Sequence, residues 1–208
     1  MNTARVRERI CRLGESLFMR GYTHGSSGNI SVRTEDGGLI VTPTNVSLGF
    51  LDPAELSVLD TRGRLIEGPP PTKEVPLHAA VYETRVSAGA VVHLHSTHSV
   101  AVSMLPDIDP TDVFPPLTAY SLMRLGRTAL IPYFRPGDPL VADALRSLDG
   151  AYAAMLLANH GPVVTDATLD GAVYAIEELE QTAKLVMLLR GERPRLLQSM
   201  EADEIRRR

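Results

Sequence analysis

Apolar residues recur at two different periods along this chain, and the switches between those periods mark out its elements. Val6, Ile10, Leu13, Leu17 and Phe18 fall at helical spacing with Gly21 behind them as a stop, so an amphipathic helix is expected over 6–19. Past the Gly- and Ser-rich stretch HGSSGNISVR the period shortens. Ile30-Ser31-Val32 alternates, Asp36-Gly37-Gly38 turns, and Leu39-Ile40-Val41 returns, which predicts a hairpin. A second strand pair is expected at 56–59 and 64–66 around Arg62-Gly63, before the stiff run Pro69-Pro70-Pro71. Helical spacing resumes from Thr72-Lys73-Glu74 through Leu77, Ala80, Val81 and Tyr82, with Thr72 as the expected cap.

The second half interleaves the same two patterns. A continuous apolar run over 88–93 reads as a buried strand, 96–105 as a helix, and 107–116 as a loop rich in Pro and Asp. Strands are expected at 128–131 and 153–158 with a helix over 138–148 between them, then a short strand at 162–164. The longest helical pattern runs over 169–190 and Gly191 ends it. The charged stretch 195–208 is expected as a helix lying in solvent or against a partner. No internal repeat interrupts this order, and 208 residues at 44% hydrophobic content suit one domain over 1–208 with a charged tail from about 191.

Composition narrows the partners. Lys plus Arg minus Asp plus Glu is 21 − 25 = −4, and no basic stripe interleaved with aromatics is present, so nucleic acid is not expected. The single cysteine, Cys11, excludes an internal disulfide. No apolar signal segment or membrane-length run is visible, so the expectation is a cytoplasmic protein with no membrane partner.

Histidine placement carries the chemistry. His93-Leu94-His95 ends the apolar run, and in a strand that spacing turns both rings to one face. Two convergent neutral imidazoles suit a divalent ion such as zinc. His160, in Ala158-Asn159-His160-Gly161-Pro162, also follows an apolar strand and is the third candidate ligand. Glu74, at a helix start, is the fourth; a displaceable carboxylate there serves as acid or base, although complementing the helix dipole is a competing role. His98 has less claim if a helix begins at Ser96, His24 is weak, and His78, one turn from Glu74, suits packing or support of the site. Three small-residue clusters, at 26–29, 42–45 and 72–73, offer backbone N–H groups and hydroxyls to an oxyanion; singly each reads as a turn.

Gly-Asn-Ile-Ser at 28–31, Thr-Pro-Thr at 42–44, Lys-Glu at 73–74, His-Leu-His-Ser at 93–96 and Asn-His-Gly at 159–161 together resemble the class II aldolase/adducin family in order and spacing. The resemblance extends to about Arg190. It implies an α/β fold of three layers, α/β/α, with a central, mainly antiparallel sheet, usually assembled as a tetramer with sites near subunit interfaces. It implies that His93, His95, His160 and Glu74 hold Zn2+, or Mn2+ or another divalent ion, with Glu74 also catalytic. Gly28, Asn29, Thr42, Thr44, Thr72 and Lys73 then fall where the family holds substrate phosphate, and Tyr120 falls where its aldolases use a proton donor from a neighbouring subunit. Tyr120 is equally readable as a packed tyrosine.

Lys73 departs from the family's sugar-phosphate aldolases, many of which carry two hydroxyl residues before the glutamate. With HGSSGNISVR, TPTNVSLGFLDP, HLHSTHSVAVS and IPYFRPGD, it resembles the branch that decarboxylates 3-oxo-tetronate 4-phosphates. The implied reaction is zinc-dependent loss of CO2 from such a sugar acid, leaving an enediolate that is protonated to dihydroxyacetone phosphate. A fuculose 1-phosphate type of aldolase, which passes through the same enediolate, is the alternative enzyme; a non-catalytic module of the adducin kind is the third reading, and intact histidines argue against it.

Overall fold

The computed structural model describes residues 3–135 and 137–206, and its elements follow from the two periods above. The opening pattern forms α1 (Thr3–Met19), which buries Val6, Ile10, Leu13 and Leu17. The hairpin forms as β1 (Asn29–Arg33) and β2 (Leu39–Val41), and the second pair as β3 (Ser57–Leu59) and β4 (Leu65–Glu67). After α2 (Val75–Thr84) come β5 (Ala90–His93) and α3 (Thr97–Ser103). Then follow α4 (Ala119–Leu125), β6 (Thr128–Ile131), α5 (Leu140–Arg146), β7 (Ala154–Leu157) and β8 (Gly161–Asp166). The long pattern becomes α6 (Leu169–Leu188), and α7 (Ser199–Arg206) closes the described chain.

One eight-stranded sheet, in the order β4-β3-β2-β1-β5-β8-β7-β6, is antiparallel at every pairing except β6 with β7. The apolar runs of its central strands are explained by burial on both faces. Val92 and Leu156 point into a cluster with Ile10, Leu17, Ile176 and Leu179 of α1 and α6. Their neighbours Val91 and Met155 point the other way, into a cluster with Leu77, Val81, Val141 and Leu145 of α2 and α5. Helices on both sides of a mainly antiparallel sheet make the expected three layers.

Three local expectations are corrected. Thr72 does not cap α2: the helix starts at Val75, Glu74 stands in the cap position without a capping hydrogen bond, and the Thr72 hydroxyl accepts the Glu74 N–H in a turn. The short α4 has no counterpart among the expected elements; Thr118 caps it by accepting the Ser121 N–H, and seven residues behind a proline-rich loop give too little periodicity to stand out. The tail packs against its own chain. Ala202 of α7 is buried, and Arg206 pairs with Asp112 at 2.7 Å. Arg207 and Arg208 lie outside the described residues.

Candidate metal centre

Four segments bring their side chains to one end of the sheet. His93 is the last residue of β5, where it lies opposite Asn29 of β1 and Val163 of β8. His95 follows two residues later, after the chain has left the strand. His160 sits in the tight turn between β7 and β8, with Asn159 at φ 57. Gly161 lets that turn press onto the segment bearing the other two histidines, since a Cβ there would lie 2.2 Å from the Leu94 carbonyl oxygen. Glu74 arrives from the start of α2.

The donor atoms meet closely. His95 Nε2 lies 3.1 Å from both His93 Nε2 and His160 Nε2. Glu74 places Oε2 at 3.3 Å from His93 Nε2 and Oε1 at 3.4 Å from His160 Nε2. His93 Nδ1 donates to the Pro162 carbonyl oxygen at 2.9 Å, so its Nε2 keeps a free lone pair toward the cluster. One ligand atom from each of the four residues lies within 4.8 Å of the other three, close enough for all four to reach a single ion. Three nitrogens and a carboxylate at these distances fit a divalent metal ion, and the same four residues form one metal-competent group.

Electrostatics agree with that fit. Burial, then the like charges of His93 and His160, push the His95 imidazole down to about 3. His160 falls to about 4 from burial and His93. Both rings are therefore neutral at neutral pH, the state a ligand needs. Burial pushes Glu74 up, but His93, the Asn29 hydrogen bond and His160 outweigh it and hold the carboxyl down at about 2. Glu74 is thus ionised.

Beside the cluster opens a cleft of about 190 Å³ that gathers Ser26, Ser27, Gly28, Asn29, Thr44, Asn45, Thr72 and Lys73 with Glu74, His95 and His160. Five of the six residues expected at a phosphate site therefore share one cleft with Glu74, His95 and His160, three of the four candidate ligands. Thr42 is not among the five. It is 1% exposed, and its hydroxyl accepts the Ile30 N–H inside the sheet, so the residue holds the hairpin and does not face the cleft. Asn29 lines the cleft, yet its amide is engaged with Glu74 and His78. Tyr120 lies apart, half-exposed on α4 with its hydroxyl accepting from Arg124 at 3.3 Å. His98 is bound to Glu180 at 2.8 Å, and His24 is exposed on the loop before β1.

Sequence reasoning passed over Phe134, Arg135 and Asp138, which line a second recess with Lys73, Glu74 and His160. The block IPYFRPGD entered only as a family motif; a cation next to Gly-Asp on a loop has no spacing that announces a site.

The class II aldolase and adducin N-terminal domain matches residues 8–187. The chain belongs to that family. It is 48% identical over 187 residues to a 3-oxo-tetronate 4-phosphate decarboxylase of Cupriavidus necator, covering 90% of this chain and 86% of that one. It is also 35% identical over 178 residues to an L-fuculose phosphate aldolase of Methanococcus maripaludis, covering 85% of this chain and 92% of the relative. The crystal structure of YgbL from Escherichia coli superposes with a TM-score of 0.96 at 43% identity, over 99% of this chain and 100% of the other. The α/β/α sandwich is therefore the family's own fold, and the ligand cluster sits at the sheet end that the five sequence blocks share.

Proposed function

We propose that this protein is a metal-dependent carbon–carbon lyase that decarboxylates a 3-oxo-tetronate 4-phosphate to dihydroxyacetone phosphate and CO2. The observation that carries the reading is the cleft in which an ionised Glu74 and the neutral His95 and His160 adjoin Lys73 and small polar residues, in a chain 48% identical to a decarboxylase of that name. In this reading His93, His95, His160 and Glu74 hold Zn2+. When bound, the ion supplies Lewis acidity to the substrate ketone, which accepts the electron pair left as CO2 departs.

The chain's own groups supply the rest. Lys73, Thr44, Thr72 and the backbone at Gly28 would hold the phosphate and so fix the reacting carbons beside Glu74. The bond between the carboxyl carbon and its neighbour breaks, CO2 leaves, and the pair stays on the neighbouring carbon in conjugation with the ketone. Glu74, ionised at rest, is the group assigned to take a proton from solvent and pass it to that carbon, which returns the carboxylate to its ionised state. The reading also has the protein acting in the cytoplasm as a homotetramer, in which exposed Tyr120 and Met123 of α4 would be covered by a neighbour.

The deciding experiment incubates zinc-, manganese- and cobalt-loaded protein with 3-oxo acids derived from erythronate and threonate 4-phosphates. Equal release of CO2 and dihydroxyacetone phosphate, abolished by chelator, is the expected result; no turnover on any of them rejects the proposal. Fuculose 1-phosphate in the same panel tests the aldolase reading that the 35% identical relative supports. Aldehyde production would move that reading to first place.

A further inference from the structure

We infer that a buried chain of side chains, Tyr82, Ser31, His78 and Asn29, positions Glu74 and gives its two oxygens different tasks. The inference rests on the proposed role of Glu74 and deepens it. Asn29 Nδ2 donates to Glu74 Oε2 at 2.7 Å. The amide oxygen of Asn29 then faces His78 Nε2, and an oxygen can only accept, so Nε2 carries the imidazole proton. His78 Nδ1 is left as an acceptor, and the Ser31 hydroxyl donates to it at 2.7 Å. Tyr82 aims its hydroxyl at the same serine, 2.9 Å from Oγ and 3.0 Å from the carbonyl oxygen. At the outer end the Arg33 guanidinium lies over the Tyr82 ring, 4.8 Å from its centroid, and donates to the Tyr82 carbonyl oxygen at 2.9 Å.

Every link from Ser31 to Glu74 thus has one direction. Protons point from Ser31 toward Glu74, and reversing one of those links would set two acceptors or two donors face to face. Ser31 and His78 are 0% exposed and Asn29 is 5% exposed, so water cannot replace a lost member. The consequence falls on Glu74. Oε2 is pinned as an acceptor, while Oε1 makes no such bond and faces His160 at 3.4 Å. Oε1 is then the atom that carries the proton, and His78 is a positioning residue that never touches substrate.

The test compares His78→Leu, His78→Gln, Asn29→Leu and Ser31→Ala by kcat and KM on the 3-oxo-tetronate 4-phosphate, and by Co2+ titration followed by visible absorption. His78→Leu is expected to lower kcat by about 10-fold or more with KM within about twofold, and to weaken Co2+ binding by about 10–100-fold. His78→Gln keeps an N–H directed at Asn29 and should return both to within about threefold of the starting protein. A His78→Leu protein within about twofold of the original in kcat and Co2+ affinity overturns the inference, as does His78→Gln faring no better than leucine. So does Asn29→Leu raising KM alone, which would make Asn29 a substrate contact. If His78→Leu does not fold, Ser31→Ala decides. It leaves the buried His78 Nδ1 without its donor and unties the ring from Tyr82, so unchanged kcat and Co2+ affinity there refute the chain. Should the unmodified protein turn over nothing, the proposed reaction fails while the Co2+ series still judges the chain.

Discussion

A carboxylate buried beside three imidazoles feels opposed forces, and at Glu74 attraction wins: the carboxyl is held down at about 2 although burial alone would raise it. An ionised carboxylate at that point can bind a metal ion and accept a proton. Glu74→Gln should therefore keep the far-UV circular dichroism spectrum while kcat falls by at least about 100-fold. An unchanged rate would remove Glu74 from the reaction. His95→Ala deletes the nitrogen that touches both other histidines, and metal analysis of the purified variant should find its ion lost. The buried imidazoles also set the pH response. His78 is lowered from 6.5 to about 3 by burial, so below pH 6.5 the unfolded chain takes up a proton that the folded chain refuses. Its contribution is complete above pH 6.5. Below that it is lost at about 1.4 kcal/mol per pH unit until the folded value is reached. His95 and His160 act in the same direction. Urea unfolding of chelator-treated protein from pH 8 to pH 5 should show falling midpoints, with a shallower fall in His78→Gln.

Secondary-structure elements differ in how much of them the sequence revealed. The runs forming β5 and β7 were plain because both faces of those strands are buried, so neither face needed a polar alternation. The start of α2 is less legible: Thr72 has the residue type of a cap, whereas the turn it makes pushes the helix start to Val75 and frees the Glu74 side chain for the site. Residue type at a helix end does not say which hydroxyl or carboxylate the tertiary contacts will claim. The β7–β8 turn shows the same dependence. Its shape relies on Gly161 lying against Leu94, a contact between segments far apart in sequence. Gly161→Ala should cost about 1–3 kcal/mol of stability in urea unfolding and weaken Co2+ binding, because its methyl would drive the His160 turn away from His95. Equal affinity in that variant would show that the turn tolerates displacement.

At the scale of the molecule, the four candidate ligands bring the start of α2, the end of β5 and the β7–β8 turn together at the sheet end. A bound ion should accordingly stabilise the whole fold. At a free concentration about 1,000 times its dissociation constant it adds about 4 kcal/mol, which for a chain of this size is about 8–16 °C of melting temperature. Calorimetry with and without chelator measures this, and identical melting curves would count against a resident ion. The sequence alone determined the order of strands and of every helix but α4, the three histidines and the carboxylate, and the blocks shared with the class II aldolase and adducin family, because those are matters of period and residue type. Tertiary structure decided the rest: that Thr42 turns into the sheet while Thr44 faces the cleft, that Tyr120 stands away from the cluster on α4, and that Asn29 spends its amide on Glu74 and His78. The physical reason is that a polar side chain's role is set by which partner lies within about 3 Å of it. Packing alone brings those partners together from across the chain.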